Sequence, residues 1–227
     1  MTLLPILSRE LLSRSRSRVT YWARFAVGLV GVLVCLESMG SAPAGVPAAM
    51  GQYVFNAVVA AAFLVSCSVS LLAADAISAE RREGTLGLLF LTRVKSLDVL
   101  LAKLGSVGVI SLGALAAFLP VLMIPVLAGG VTGGEAFRKG LALVNTLFFA
   151  MIVGLYASAA QHERFRAVRR AVVLLSLIIL VPFLPYWIGI GGLLHPLTAV
   201  SPLVTLITAG DAHYTSSWAF YWTSLLA

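Results

Sequence analysis

The chain has 227 residues, 60% of them hydrophobic and only 11% charged, with a mean hydropathy of +1.00. A soluble domain carries about 25% charged residues, so charges this sparse leave too little polar surface to cover a water-facing globule. The net charge of +7 would suggest nucleic acid in a soluble protein, but its placement along this chain points to membrane topology, and no nucleic-acid partner is expected.

The apolar runs are near-continuous. Lipid admits only backbones whose polar groups are satisfied within a helix or a closed barrel, and a barrel needs alternating strands. The expected fold class is therefore an all-α polytopic membrane protein, with residues 1–227 forming a single transmembrane domain. The predicted elements follow in chain order.

Residues 2–18 read as an amphipathic helix lying on the membrane interface. Leu4, Leu7 and Leu11 recur at helical spacing, and Arg9, Arg14, Arg16 and Arg18 supply the basic part. A charged tail that only sets topology is the plainer reading. The first span is expected at 19–39. Its apolar run from Phe25 to Leu36, followed by Ser41-Ala42-Pro43-Ala44, has a rival reading as a cleaved signal peptide. The long preceding region and Glu10 speak against that rival. The second span is expected at 53–74. It carries small residues four apart, Ala62, Ser66, Ser70 and Ala74, which let helices approach closely in lipid. Contact within the chain is the bland use of such a stripe, and a subunit interface or translocation seam the sharper one.

A charged segment follows at about 75–95. Nine charged residues fall between Asp75 and Lys103, in a chain with only 16 Lys and Arg and 9 Asp and Glu. Further spans are expected at 99–128, 140–160 and 170–190, and the third is long enough to tilt or to leave the bilayer. Gly113 and Ala117 repeat the small-residue interval in it. Pro182 and Pro185 should interrupt the fifth span near its end. Residues 192–210 then read as a short re-entrant or surface helix, with Ser201 as N-cap, Pro202 at the first helical position and Gly210 as the stop. An ordinary connection with a few buried leucines remains the alternative. A sixth span begins near Trp218 and is incomplete at Ala227.

Lys and Arg set the orientation. Fourteen of the 16 basic residues fall before or at the start of span one, between spans two and three, or between spans four and five; Arg138 and Lys139 are left for the other side. The amino terminus is therefore expected in the cytoplasm, with a multi-pass chain in the cytoplasmic (inner) membrane. Cys35 and Cys67 lie inside apolar segments and read as small hydrophobes, not as a disulfide or metal site.

Several chemistries lack their motifs. There is no Gly-x-x-x-x-Gly-Lys-Ser/Thr loop, no His-Glu-x-x-His and no Gly-x-Ser-x-Gly, and His162, His195 and His213 lack metal-ligand spacing. No catalytic, cofactor or metal residue is assigned. No acidic residue falls in the middle of an expected span, which argues against proton-coupled transport.

The run Asp75-x-Ile77-Ser78-x-Glu80-Arg81-Arg82-Glu83-Gly84-Thr85-Leu86-x-Leu88-Leu89, with Thr92, resembles the permease subunits of ABC-2 type transporters. Arg93 stands where that family commonly has proline. Arg9-Glu10-Leu11 before span one and Ser201-Pro202 extend the resemblance over most of the chain. It implies an ABC-2 type transmembrane domain of six helices, here five complete spans and the start of a sixth. It also implies a second permease copy or homologous permease, and an ABC-type ATP-binding subunit that holds ATP and Mg, neither of which this chain would bind. The segment between spans two and three would be the coupling helix, with Asp75, Glu80, Arg81, Arg82, Glu83, Gly84 and Thr85 as the partner-docking residues. The expected function is the permease of an ATP-driven exporter, and a non-transporting membrane anchor or assembly protein is the alternative.

Overall fold

A computed structural model describes residues 18–42, 47–82, 96–161, 163–189 and 195–226. The expected interface helix at 2–18 lies outside them, except for Arg18. Every regular element among the described residues is helical: α1 (Arg18–Ser41), α2 (Pro47–Ala74), α3 (Ser78–Arg82), α4 (Ser96–Ala116), α5 (Leu119–Ala128), α6 (Gly133–Ala160), α7 (Arg164–Trp187), α8 (His195–Thr198), α9 (Pro202–Thr208) and α10 (Asp211–Leu226).

Five stretches are long and apolar enough to cross a membrane: Tyr21–Ser41, Ala48–Ala74, Leu100–Ala128, Gly133–Ala160 and Arg164–Trp187. They coincide with the five expected spans. Two of them make the centre. Half of the most apolar window of α2 is buried and 56% of that of α6, against 17% for α1 and 22% for α7. The outer face of α1 turns Leu29, Leu33 and Leu36 outward, a surface suited to hydrocarbon.

Close approach of α2 and α6 depends on small side chains. Ala62, Ser66, Ser70 and Ala74 are all buried in the chain's own interior. Opposite them, a Cβ on Gly154 of α6 would lie 2.5 Å from the Ser70 carbonyl oxygen and 2.6 Å from the Ala73 methyl. Only glycine fits that crossing. The serines satisfy themselves along their own helix, Ser66 Oγ donating to Ala62 O and Ser70 Oγ to Cys67 O, so no free hydroxyl enters the apolar seam.

Five details differ from the expectations. The third span is not one helix. Pro120 has no N–H to offer the Ala116 carbonyl, so the ladder breaks at Ala117–Phe118 and restarts as α5. The buried Phe118 fills the break and packs against Gly31 of α1. Conversely, Pro182 and Pro185 do not interrupt the fifth span: both sit inside α7, which continues to Trp187. Packing around a proline lets a helix continue past it; beside Pro182 the Ser201 hydroxyl donates to the Ile179 carbonyl at 3.0 Å. That same bond takes Ser201 away from its expected capping bond: its backbone is extended, but its side chain does not cap α9.

The fourth helix begins seven residues before the expected 140, which brings Glu135, Arg138 and Lys139 into it. The last helix likewise starts at Asp211, and a kink at Ser217 precedes the expected start at Trp218. Short α9 is mostly interior, with Pro202, Val204, Thr205, Leu206 and Thr208 buried against the long helices and α10.

Candidate functional site

Polar side chains gather at the two ends of the bundle. The proximal face holds the end of α2, α3 and the α6–α7 connection. The distal face holds the start of α2, the start of α6 and the α9–α10 corner.

On the proximal face α2 ends at Ala74 and the chain turns through residues 75–77 into α3. The buried Ser158 of α6 fixes that turn. Its Oγ accepts from the backbone N–H of Ile77 at 3.0 Å and of Ser78 at 2.9 Å. These are donors at the start of α3, which no intrahelical carbonyl can serve. Asp75 then gathers the charges. Its Oδ1 accepts from Arg82 at 2.8 Å and from Ser78 Oγ at 3.2 Å, and Arg164 Nε approaches Oδ2 at 3.4 Å.

Of the expected docking residues, Asp75 and Arg82 are thus paired within the chain. Their side chains stay 28% and 40% exposed. Glu80 and Arg81 lie on α3, but their side chains fall outside the described residues. Glu83, Gly84, Thr85 and the rest of the segment to 95 lie outside them as well.

The distal face is built differently. Thr132 caps α6, its Oγ1 accepting from the Glu135 N–H at 3.1 Å. The same hydroxyl donates to Asp211 Oδ2 at 2.6 Å. Glu135, only 3% exposed, receives three donors: Lys139 Nζ at 2.7 Å and Gln52 Nε2 at 2.9 Å on Oε1, and the Asp211 N–H at 3.4 Å on Oε2. Lys139, 7% exposed, also donates to Asn56 Oδ1 at 2.7 Å and lies 5.0 Å from the centre of the Phe55 ring.

Arg138, one position away, faces the last helix. It pairs with the Asp211 carboxylate, donates to the Ala209 carbonyl at 3.0 Å and lies 4.0 Å above the Tyr214 ring. Tyr221 returns a hydrogen bond from its hydroxyl to the Arg138 carbonyl at 2.8 Å. The Glu135–Lys139 pair within α6 is therefore tied to α2 through Gln52 and Asn56, and the Arg138–Asp211 pair joins α6 to α10. The burial of Glu135 and Lys139 demands that their pair be complete, since an unpaired charge there costs several kcal/mol. Asn145 Nδ2 is the one buried side-chain polar atom without a partner among the described residues.

Beside this network lies a cavity of about 670 Å3. Gln52, Asn56, Glu135, Lys139, Asp211 and His213 form its polar side, and Val59, Leu203, Leu206 and Ile207 its apolar side. The sequence reading missed these groups because it took Arg138 and Lys139 as loop charges. One signal was legible: Thr132-Gly-Gly-Glu135 has the spacing of a capping box, which marks a helix start at Gly133. Among the described residues no group of His, Cys, Asp and Glu is arranged to hold a metal ion. No protein-family model matches the chain, and no curated protein matches it.

Proposed function

We propose that the chain is the membrane-spanning permease subunit of an ATP-driven ABC-2 type exporter. The observation that carries the proposal is the place of the Glu83-Gly84-Thr85-Leu86 block: it follows the second of five apolar helices and precedes the third, where the resemblance requires a coupling segment. The basic residues put that proximal face toward the cytoplasm. There it meets an ATP-binding subunit that carries ATP and Mg.

The anchoring of α3 supports a mechanical role. Ser158 and the Asp75 pairs tie it to the inner ends of α2, α6 and α7. A push on such an element passes to three helices together, as rigid-body rocking requires. A second permease copy completes the assembly.

The test is a pull-down of the tagged protein from detergent-solubilised membranes, with mass spectrometry of the partners. Recovery of an ABC-type ATPase, lost when residues 80–85 are scrambled at unchanged expression, is the expected outcome. Recovery of other partners alone would replace this reading with that of a membrane anchor or assembly protein.

A further inference from the structure

The distal cavity sits apart from the proximal docking segment, and its chemistry stands whether or not the permease reading does. The geometry points to a binding site for an amphiphile with an uncharged, hydrogen-bonding head.

Size comes first. A cavity of about 670 Å3 falls within the roughly 300–1,000 Å3 of small-molecule sites. The second argument is charge. Lys139 is neutralised by Glu135 at 2.7 Å, and Asp211 by Arg138 from behind the cavity wall. An anionic head would have to draw Lys139 from a buried carboxylate, and a cationic head would have to displace Lys139 or Arg138. Breaking the Glu135–Lys139 pair strands a buried charge, and the partly exposed Asp211 carboxylate is already held by Arg138 and by the Thr132 hydroxyl.

The free groups are neutral. Asn56 uses Oδ1 for Lys139 and keeps its amide N–H groups, and Gln52 uses Nε2 for Glu135 and keeps Oε1. The exposed His213 ring also lines the cavity. Amide and imidazole groups of this kind donate to and accept from hydroxyl, ether or amide oxygens. The third argument is the opposite wall. Leu203, Leu206 and Ile207 present apolar surface from α9 within the same cavity, which an alkyl chain covers and a wholly polar solute does not.

The experiment uses the full chain in phosphatidylcholine nanodiscs and an alkyl glucoside with a diazirine in its chain. Labelled residues are mapped by mass spectrometry. The expected result is saturable labelling of the Leu203–Ile207 segment that octyl glucoside competes away, while octyl sulfate and octyltrimethylammonium do not. Ile207→Trp, which fills the cavity from its wall, should weaken labelling about tenfold, and His213→Ala about threefold, the scale of one hydrogen bond. Neither residue belongs to the ion-pair network, so folding is retained, and an unchanged melting curve checks this.

A long-chain glucosyl diglyceride placed in the disc separates two sources of the same chemistry. Competition by it assigns a bilayer lipid, and competition by the short-chain glucoside alone assigns a solute; either supports the site. Labelling that is unsaturable, or unchanged in Ile207→Trp, overturns it. Equal competition by a charged amphiphile overturns the head-group assignment.

Discussion

The two ends of this bundle both carry ion pairs, and they use them in opposite ways. At the proximal face Asp75 holds Arg82 and Arg164 at an exposed surface, where water and salt screen the attraction and a pair is worth about 0–1 kcal/mol. What fixes that face is neutral and buried: one serine hydroxyl under two backbone N–H groups. At the distal face one ion pair is itself interior, with Glu135 and Lys139 almost fully enclosed. Charge at the exposed end can be exchanged for a partner's charge at little cost. Charge at the buried end is committed to holding α2, α6 and α10 together.

The sharpest way to break that contrast is Lys139→Met. It leaves the Glu135 carboxylate buried without its cation, and the expected loss is about 3–5 kcal/mol of stability. Unfolding in mixed micelles would measure it, and Glu135→Gln/Lys139→Met should recover most of the loss because no charge is then stranded. A single variant as stable as the parent would show that water reaches the pair.

Ser158→Ala comes next. It removes the acceptor of the buried Ser78 N–H and the half-buried Ile77 N–H, at about 1–3 kcal/mol. The effect should stay local: faster hydrogen exchange at Ile77 and Ser78, with amides around Glu135 unchanged. Exchange that rises equally at both ends would mean the two faces are one cooperative unit.

The smallest effect belongs to Arg82→Ala, expected to cost about 0–1 kcal/mol in the same unfolding assay. A loss of several kcal/mol would place Arg82 in the structural class of Lys139 and remove it from the docking surface.

The sequence read the five spans well because hydropathy over about 20 residues is a long-range sum that local detail cannot overturn. It also read the small-residue stripe, since Ala62, Ser66, Ser70 and Ala74 announce themselves by spacing alone. Helix ends were another matter. Pro120 and Pro182 look alike in sequence, yet one breaks a helix and the other rides inside one, because the surrounding packing decides whether a helix continues past a proline.

The distal site failed to appear for a related reason. Glu135 and Lys139 are ordinary surface residues by composition. Their burial comes from Gln52 and Asn56 on α2 and from the Asp211 backbone, all more than 70 positions away. By itself the sequence determined an all-helical chain with five helices able to cross a membrane, since scarce charge and long apolar runs leave the backbone no other satisfied form. Only the tertiary structure decided which charges are interior and that a cavity opens beside them, because both depend on where distant helix ends meet.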